Sequence, residues 1–325
     1  MASDEPVRVL RFPENRSWGQ LCDIVVPSGP SSSRSTWDKD ARGEVRVPRS
    51  TRLSLLWDGP GDDLSLLDGF AADDFEELNF GKTFTLIDDQ LAHVSRLHGL
   101  RSLALNDNLI SDAGVAHIAP LTGIEELWLS CGPGLTSAGL RYLQDFHGLR
   151  LLDVSHTSVD DTGLELLSRL KRLERLYLSY TRVTDIGLHW LAALSNLQAL
   201  GVAGTRITND GLREIGRLTG LRELVLDSTA IGADGLRHLV GLHGLEELSL
   251  PITPTNDAAV PHILRHPNMR RLDLRRTEIT LDGALQLAAL RQLEVLEVPY
   301  SIGMDGWQQL MAAMPWCQVR KPYRL

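Results

Sequence analysis

The chain has 325 residues, 43% of them hydrophobic, enough apolar material for a sizeable core. Its formal charge of −9 and pI near 5.6 argue against non-specific binding to nucleic acid or a membrane surface, which a basic surface favours. Cys22, Cys131 and Cys317 are odd in number and far apart, which fits neither a disulfide framework nor a zinc spacing.

The opening "MASDEPVRVLRF" shows no apolar h-region, and no apolar run reaches the roughly 18 residues of a membrane span, so the expected location is the cytoplasm. Short strands are then predicted at 7–12 (VRVLRF), 20–26 (QLCDIVV), 43–48 (GEVRVP) and 52–57 (RLSLLW). Between the second and third lies a Ser-, Pro- and Gly-rich stretch, expected to be a flexible loop at about 27–43. Residues 1–72 thus read as a small β-rich N-terminal cap.

From Phe75 to Trp316 the chain repeats. "LRLLDVSHTSVDDTGLELLSRLKR" from Leu149 is followed in register by "LERLYLSYTRVTDIGLHWLAALSN" from Leu173 and "LQALGVAGTRITNDGLREIGRLTG" from Leu197. The 24-residue register gives ten units over 73–316, with one extra residue in the units at 75–99 and 124–148. Apolar residues at unit positions 1, 4 and 6 predict a short strand with one buried face. Position 9 is usually Thr, whose short side chain can satisfy backbone groups where the chain leaves the strand. Ser, Thr, Asn or Asp near position 12 predicts a helix cap, and the pairs Asp88/Asp89 and Asp160/Asp161 are read as caps rather than metal ligands. Gly at position 15 (Gly114, Gly163, Gly187, Gly211, Gly235, Gly283) is expected where two backbones pass closely. Leucines at 16, 19 and 22 supply one inward helical face. Residues 317–325 read as a final strand and tail.

One unit cannot fold alone. Its roughly seven buried aliphatics contribute on the order of 10–20 kcal/mol, while ordering 24 residues costs roughly 1–2 kcal/mol each. Stability must come from stacking on neighbours.

The pattern LxxLxLxxTxITDxGLxxLxxL resembles the leucine-rich repeat family, in the type found in ribonuclease-inhibitor-like proteins, F-box-associated proteins and many bacterial cytoplasmic ones. The resemblance implies an α/β fold: a right-handed, curved leucine-rich-repeat solenoid with a parallel β-sheet on the concave face and helices on the convex face. Nothing in residues 1–72 is helical enough for an F-box, so a ubiquitin-ligase role does not transfer.

Strand positions 3, 5 and 7 of this repeat type are expected to face solvent on the concave side, with position 8 at the rim. Trp128, Leu151, His156, Tyr177 and Tyr180 would then form an apolar-aromatic patch on three consecutive strands, beside Arg175, and Gly201, Ala203 and Gly204 would leave a shallow approach for a partner. Covering of the sheet by packed rings is the competing reading. Further on, Arg271, Arg275 and Arg276 come from one strand and suit carboxylates or phosphates, unless Glu247, Asp273 and Glu297 neutralise them.

No phosphate loop, dinucleotide fingerprint, zincin motif or nucleophile elbow is visible. Cys131 and His156, both at position 8 of neighbouring units, are the one thiol–imidazole pair to weigh for nucleophilic catalysis. The expectation is a non-catalytic scaffold without metal or cofactor that binds a partner protein on its concave face. The alternatives are a component of an enzyme system built on Cys131 and His156, or a binder of an anionic ligand through Arg271, Arg275 and Arg276. Overall acidity disfavours nucleic acid.

Overall fold

A computed structural model describes residues 6–24, 38–61, 63–81, 83–132 and 134–321. The chain divides into two compact units, Met1–Asp153 and Val154–Leu325.

The first unit begins with a β-rich region. Strand β1 (Val7–Arg11) pairs antiparallel with β4 (Glu44–Pro48), while β2 (Gly19–Asp23) lies antiparallel between β3 (Asp38–Asp40) and β5 (Leu53–Trp57). Strand β3 falls inside the stretch expected to be a loop; residues 27–37 of that loop lie outside the described residues. From β5 the pairing turns parallel, through β6 (Glu77–Asn79), β7 (Ser102–Ala104), β8 (Glu126–Trp128) and β9 (Leu151–Asp153). The opening region is therefore joined to the repeats by backbone hydrogen bonds and by packed rings, with Trp57 5.5 Å from Trp18 and 5.6 Å from Phe80 between centroids.

In the second unit each repeat gives one three-residue parallel strand: β10 (Arg175–Tyr177), β11 (Ala199–Gly201), β12 (Glu223–Val225), β13 (Glu247–Ser249), β14 (Arg271–Asp273), β15 (Val295–Glu297) and β16 (Gln318–Arg320). Pairing is in register, Leu200 against Leu224, Leu248, Leu272 and Leu296 in turn. These leucines are buried, as are the helical Leu188, Leu212 and Leu236 behind them, so the core lies between sheet and helices as the apolar spacing requires. The helical segments are short, α-helical at Asp161–Leu167 and 3₁₀ at Gly187–Ala193.

Two side-chain devices hold successive repeats in place. The first is local: the position-9 hydroxyls of Thr157, Thr181, Thr205 and Thr229 are buried and donate at 2.6 Å to the position-6 carbonyls of Val154, Leu178, Val202 and Leu226. This is the role expected of a short polar residue at the strand exit.

The second device crosses between repeats. Asp161 accepts from Thr184 N at 2.8 Å and Thr184 Oγ1 at 2.7 Å; Asp185 does the same for Thr208, and Asp257 for Thr280. In the first unit Asp112 serves Thr136, and Asp88 accepts from Ser111 N. Of the paired aspartates, Asp160 does cap its own helix, accepting from Thr162 N at 3.0 Å. Asp88 and Asp161 instead reach forward to the next repeat. This also specifies the close approach expected at the position-15 glycine: a Cβ on Gly187 would lie 3.0 Å from the Cα of Asp161 in the preceding repeat, and closer still to its carboxylate. A Cβ on Gly187 would fall 2.4 Å from Asp161 Oδ1, and one on Gly211 2.3 Å from Asp185 Oδ1. The glycine makes room for the preceding repeat's carboxylate.

Candidate interaction site

Position 8 of the repeat sets the rim of the sheet. As the chain leaves each strand, the position-8 N–H turns to the position-7 carbonyl of the next repeat: His156 N donates to Ser179 O, Tyr180 N to Ala203 O, and Ser228 N to Pro251 O. That turn needs a left-handed backbone. His156, Tyr180, Ser228, Ile252 and Arg276 all hold φ between 55° and 59°, and only Gly204, at 61°, does so without a Cβ penalty. In the first unit Asp107 and Cys131 take the same conformation.

The first unit supplies two of the sequence-predicted site residues. Trp128 is half-buried on β8, in register with Ala104 and Asp153. Leu151, opposite Glu126 on β9, is 2% exposed and so underlies the face instead of presenting to it, contrary to expectation. Cys131 is also here. Burial, then a hydrogen bond to Asp107 and the charges of Asp107 and Asp153, push its thiol above the ordinary value, the opposite of what a thiolate nucleophile needs.

The second unit brings His156 and Tyr180 together, stacked 4.5 Å apart and 16° from parallel. A Cβ on Gly204 would meet Tyr180 Cδ1 and Cε1 at 2.5 Å, and one on Gly201 would meet Tyr177 Cδ1 at 2.9 Å. Gly201 and Gly204 therefore do not leave a vacant approach: the tyrosine rings of the neighbouring repeat fill it. Tyr180 remains 49% exposed, Tyr177 and Arg175 are half-buried, and His156 is exposed.

The three arginines have separate fates. Arg275 is consumed within the sheet: Nε and Nη2 donate to Asp273 Oδ2 at 3.0 and 2.6 Å, and Nε lies 2.9 Å from Glu297. Those carboxylates, the Asp273 hydrogen bond first, hold its guanidinium pKa above the ordinary value. Arg271 only approaches Glu247, at 4.0 Å, while Arg276 stands exposed on the rim with no ion pair among the described residues.

Toward β12 the sheet face is acidic. Burial raises the Glu223 carboxyl above its usual range, and the Glu247 charge raises it further against some relief from Arg175. Burial likewise raises Asp227, which accepts from Ser249. The signal in the sequence was the order Glu223, Glu247, Arg271 at one repeat position, which sets two like charges directly opposite in the β12–β13 register. Among the described residues, no group of three or more His, Cys, Asp or Glu side chains could hold a metal ion, and no helix is long and apolar enough to cross a membrane.

The repeat and sheet geometry define a leucine-rich repeat fold. Residues 147–207 and 265–288 match families described as leucine rich repeat. Leucine-rich repeat-containing protein 42 of Homo sapiens is 40% identical over 84 residues, covering 23% of this chain and 18% of that protein. Its Mus musculus counterpart is 39% identical over 84 residues with the same coverage, so the match spans a small part of these relatives. Among solved structures, an internalin (inlF) from Listeria monocytogenes superposes with a TM-score of 0.55 at 19% identity, over 78% of this chain and 82% of that one, a likeness of fold. The chain is a leucine-rich repeat protein.

Proposed function

We propose that the protein is a non-catalytic scaffold that binds a partner protein on the open, concave face of its sheet. Trp128 is the anchor in the first unit; Tyr177 and Tyr180, backed by His156 and flanked by Arg175, are the anchors in the second. The observation that carries this reading is Tyr180, held by the His156 stack and by Gly204 with 49% of its surface still exposed. A ring fixed in place before binding loses little entropy on contact, which is why rigid aromatics dominate interaction hot spots. The raised Cys131 pKa supports a non-enzymatic role, and three free cysteines fit a reducing, cytoplasmic setting. An anionic ligand on Arg271, Arg275 and Arg276 has less support, because Arg275 is already engaged by two carboxylates.

The test is paired affinity capture from source-cell lysate with mass-spectrometric readout. Wild type is compared with Trp128→Ala/Tyr177→Ala/Tyr180→Ala, the two matched for folding by circular dichroism. A protein retained by the first and lost by the second supports the reading; identical lists mean that the rings only cover the sheet.

A further inference from the structure

Between strand exit and helix start, the repeat that begins at Leu173 presents Tyr180, Arg182 and Ile186 at positions 8, 10 and 14, all exposed. The next repeat places a second exposed arginine, Arg206, at position 10. Arg182 N donates to Val159 O at 2.8 Å and Arg206 N to Val183 O at 3.1 Å, so the two residues occupy the same point of successive repeats. Neighbouring backbones in such a ladder lie about 4.8 Å apart. Neither guanidinium has a hydrogen-bond or ion-pair partner among the described residues. The carboxylates at positions 12 and 13 of these repeats are already engaged, Asp160 by Thr162, Asp161 by Thr184 and Asp185 by Thr208. Asp210, further along the flank, lies 4.0 Å from Arg213. In a chain with 42 acidic and 33 basic residues, two adjacent arginines without a partner are not explained by a shortage of carboxylates.

Ile186 is a second, independent feature of the same flank. At 76% exposure it is the most exposed large apolar side chain among the described residues. It stands at the start of the 3₁₀ segment Gly187–Ala193 and makes no cap hydrogen bond. Thr184 caps instead, its hydroxyl accepting from Ile186 N at 3.2 Å. Other repeats carry Thr162, Asp210 and Asp234 at this place, the polar and acidic groups that a helix start favours. Folding stability favours neither the adjacent arginines nor the exposed isoleucine. Both make sense if another molecule brings a carboxylate to the arginines and apolar surface to either side. A small anion would use the arginines alone and leave Ile186 and Tyr180 in water. A protein segment can use all of them, and the His156 stack already holds Tyr180 in place.

We propose that this flank of the second unit docks a protein segment in which an aspartate or glutamate, seated between Arg182 and Arg206, is bracketed by apolar side chains against Tyr180 and Ile186. This rests on the protein-binding reading above and names the partner's chemistry. Guanidinium forks match carboxylates in shape as well as charge, and such pairs set partner choice and association rate.

The test pans a displayed random-peptide library on the full-length protein and measures the selected peptides on wild type, Arg182→Gln/Arg206→Gln and Ile186→Thr. The expected peptides share an acidic position with an apolar one on each side. They bind the glutamine variant roughly ten-fold more weakly and the threonine variant roughly three-fold more weakly, and binding to wild type weakens as salt rises. Both variants should unfold at the wild-type temperature or above, so that lost binding cannot be put down to misfolding. A lower unfolding temperature would show that these side chains serve the fold, and overturns the proposal. Peptides without a shared acidic position, or equal binding to wild type and either variant, also overturn it. So does inorganic phosphate or succinate that displaces the peptides at equal concentration, which would mark a small-anion site. A parallel Trp128→Ala/Tyr177→Ala arm separates the two readings. Peptides lost on that variant but not on the glutamine variant leave concave-face binding intact and remove this flank; the converse pattern keeps the flank and removes the concave anchors. If no peptide is enriched on wild type, both fall.

Discussion

The repeats that begin at Leu197 and Leu245 differ at the contact that joins each to its predecessor. At Leu197, Gly211 leaves room for Asp185, which bonds to Thr208. At Leu245, Ala259 stands in place of the glycine, and Ala233, at the position of Asp185 in the preceding repeat, has no carboxylate to offer. Asn256 turns to its own helix instead, accepting from Ala258 N at 3.1 Å. A methyl group and a carboxylate compete for the same space. The same repeat also carries His266 where its neighbours have the core leucines Leu218, Leu242 and Leu290. Departures from the consensus thus gather around one junction between repeats, and Ala233 and Ala259 form a matched pair, because losing the carboxylate removes the need for the glycine.

Five substitutions break or sharpen this contrast. Gly187→Ala should be the most damaging: its Cβ would meet Asp161 Oδ1 at 2.4 Å and the Asp161 Cα at 3.0 Å, expelling the carboxylate from Thr184. A loss of about 2–4 kcal/mol is expected in urea unfolding, whereas Ala259→Gly should stay within about 1 kcal/mol of wild type. Equal effects from the two would show that the bridge contributes nothing.

His266 comes next. It is 2% exposed, its Nδ1–H donates to Leu242 O at 3.0 Å, and burial depresses its pKa below the ordinary 6.5. Above that value both states are neutral and the residue makes no pH-dependent contribution. Below it the unfolded chain takes up the proton first, so stability falls by up to about 1.4 kcal/mol per pH unit until the folded pKa is reached. His266→Leu should flatten this part of the stability–pH curve, and an unchanged slope would mean that the imidazole protonates freely in the fold.

Thr205→Val keeps the shape but deletes the 2.6 Å bond to Val202 O, for an expected loss of about 1 kcal/mol in thermal unfolding. The smallest effect should come from Ile252→Asn, which relaxes the rim backbone and is expected to stabilise by roughly 0.5 kcal/mol. A destabilised asparagine variant would show that the isoleucine packs usefully within the chain.

Much of this was open to sequence reasoning, and what escaped it has a common cause. The 24-residue period, the strand at positions 3–5 and the threonine at position 9 follow from contacts within one repeat, where spacing alone identifies the partner. The Asp161–Thr184 bridge lies 23 residues apart in the chain, and "S-V-D-D-T-G" satisfies a helix-cap pattern whichever aspartate does the capping. Likewise Gly201 and Gly204 read as open space until Tyr177 and Tyr180 of the preceding repeat are placed over them. On the candidate site, the sequence located the exposed tyrosines but also included Leu151, whose position-3 slot looks outward by period and is covered in fact. It grouped three arginines that the sheet separates, because neutralisation of Arg275 depends on Glu297 in the next repeat.

The forward-reaching aspartate gives the array a direction. Where the bridge is present, a repeat hands a carboxylate to its successor, so the two ends of a block cut from such a run are chemically unlike. Within a run of intact bridges, removing 24 residues in phase rejoins a donor to an acceptor, and the seam closes on the same bond that was cut. Removing any other length leaves an aspartate facing the wrong group and a glycine with nothing to accommodate. A protein wired this way tolerates lengthening and shortening in whole steps, which is the kind of change that duplication and loss of repeats produce.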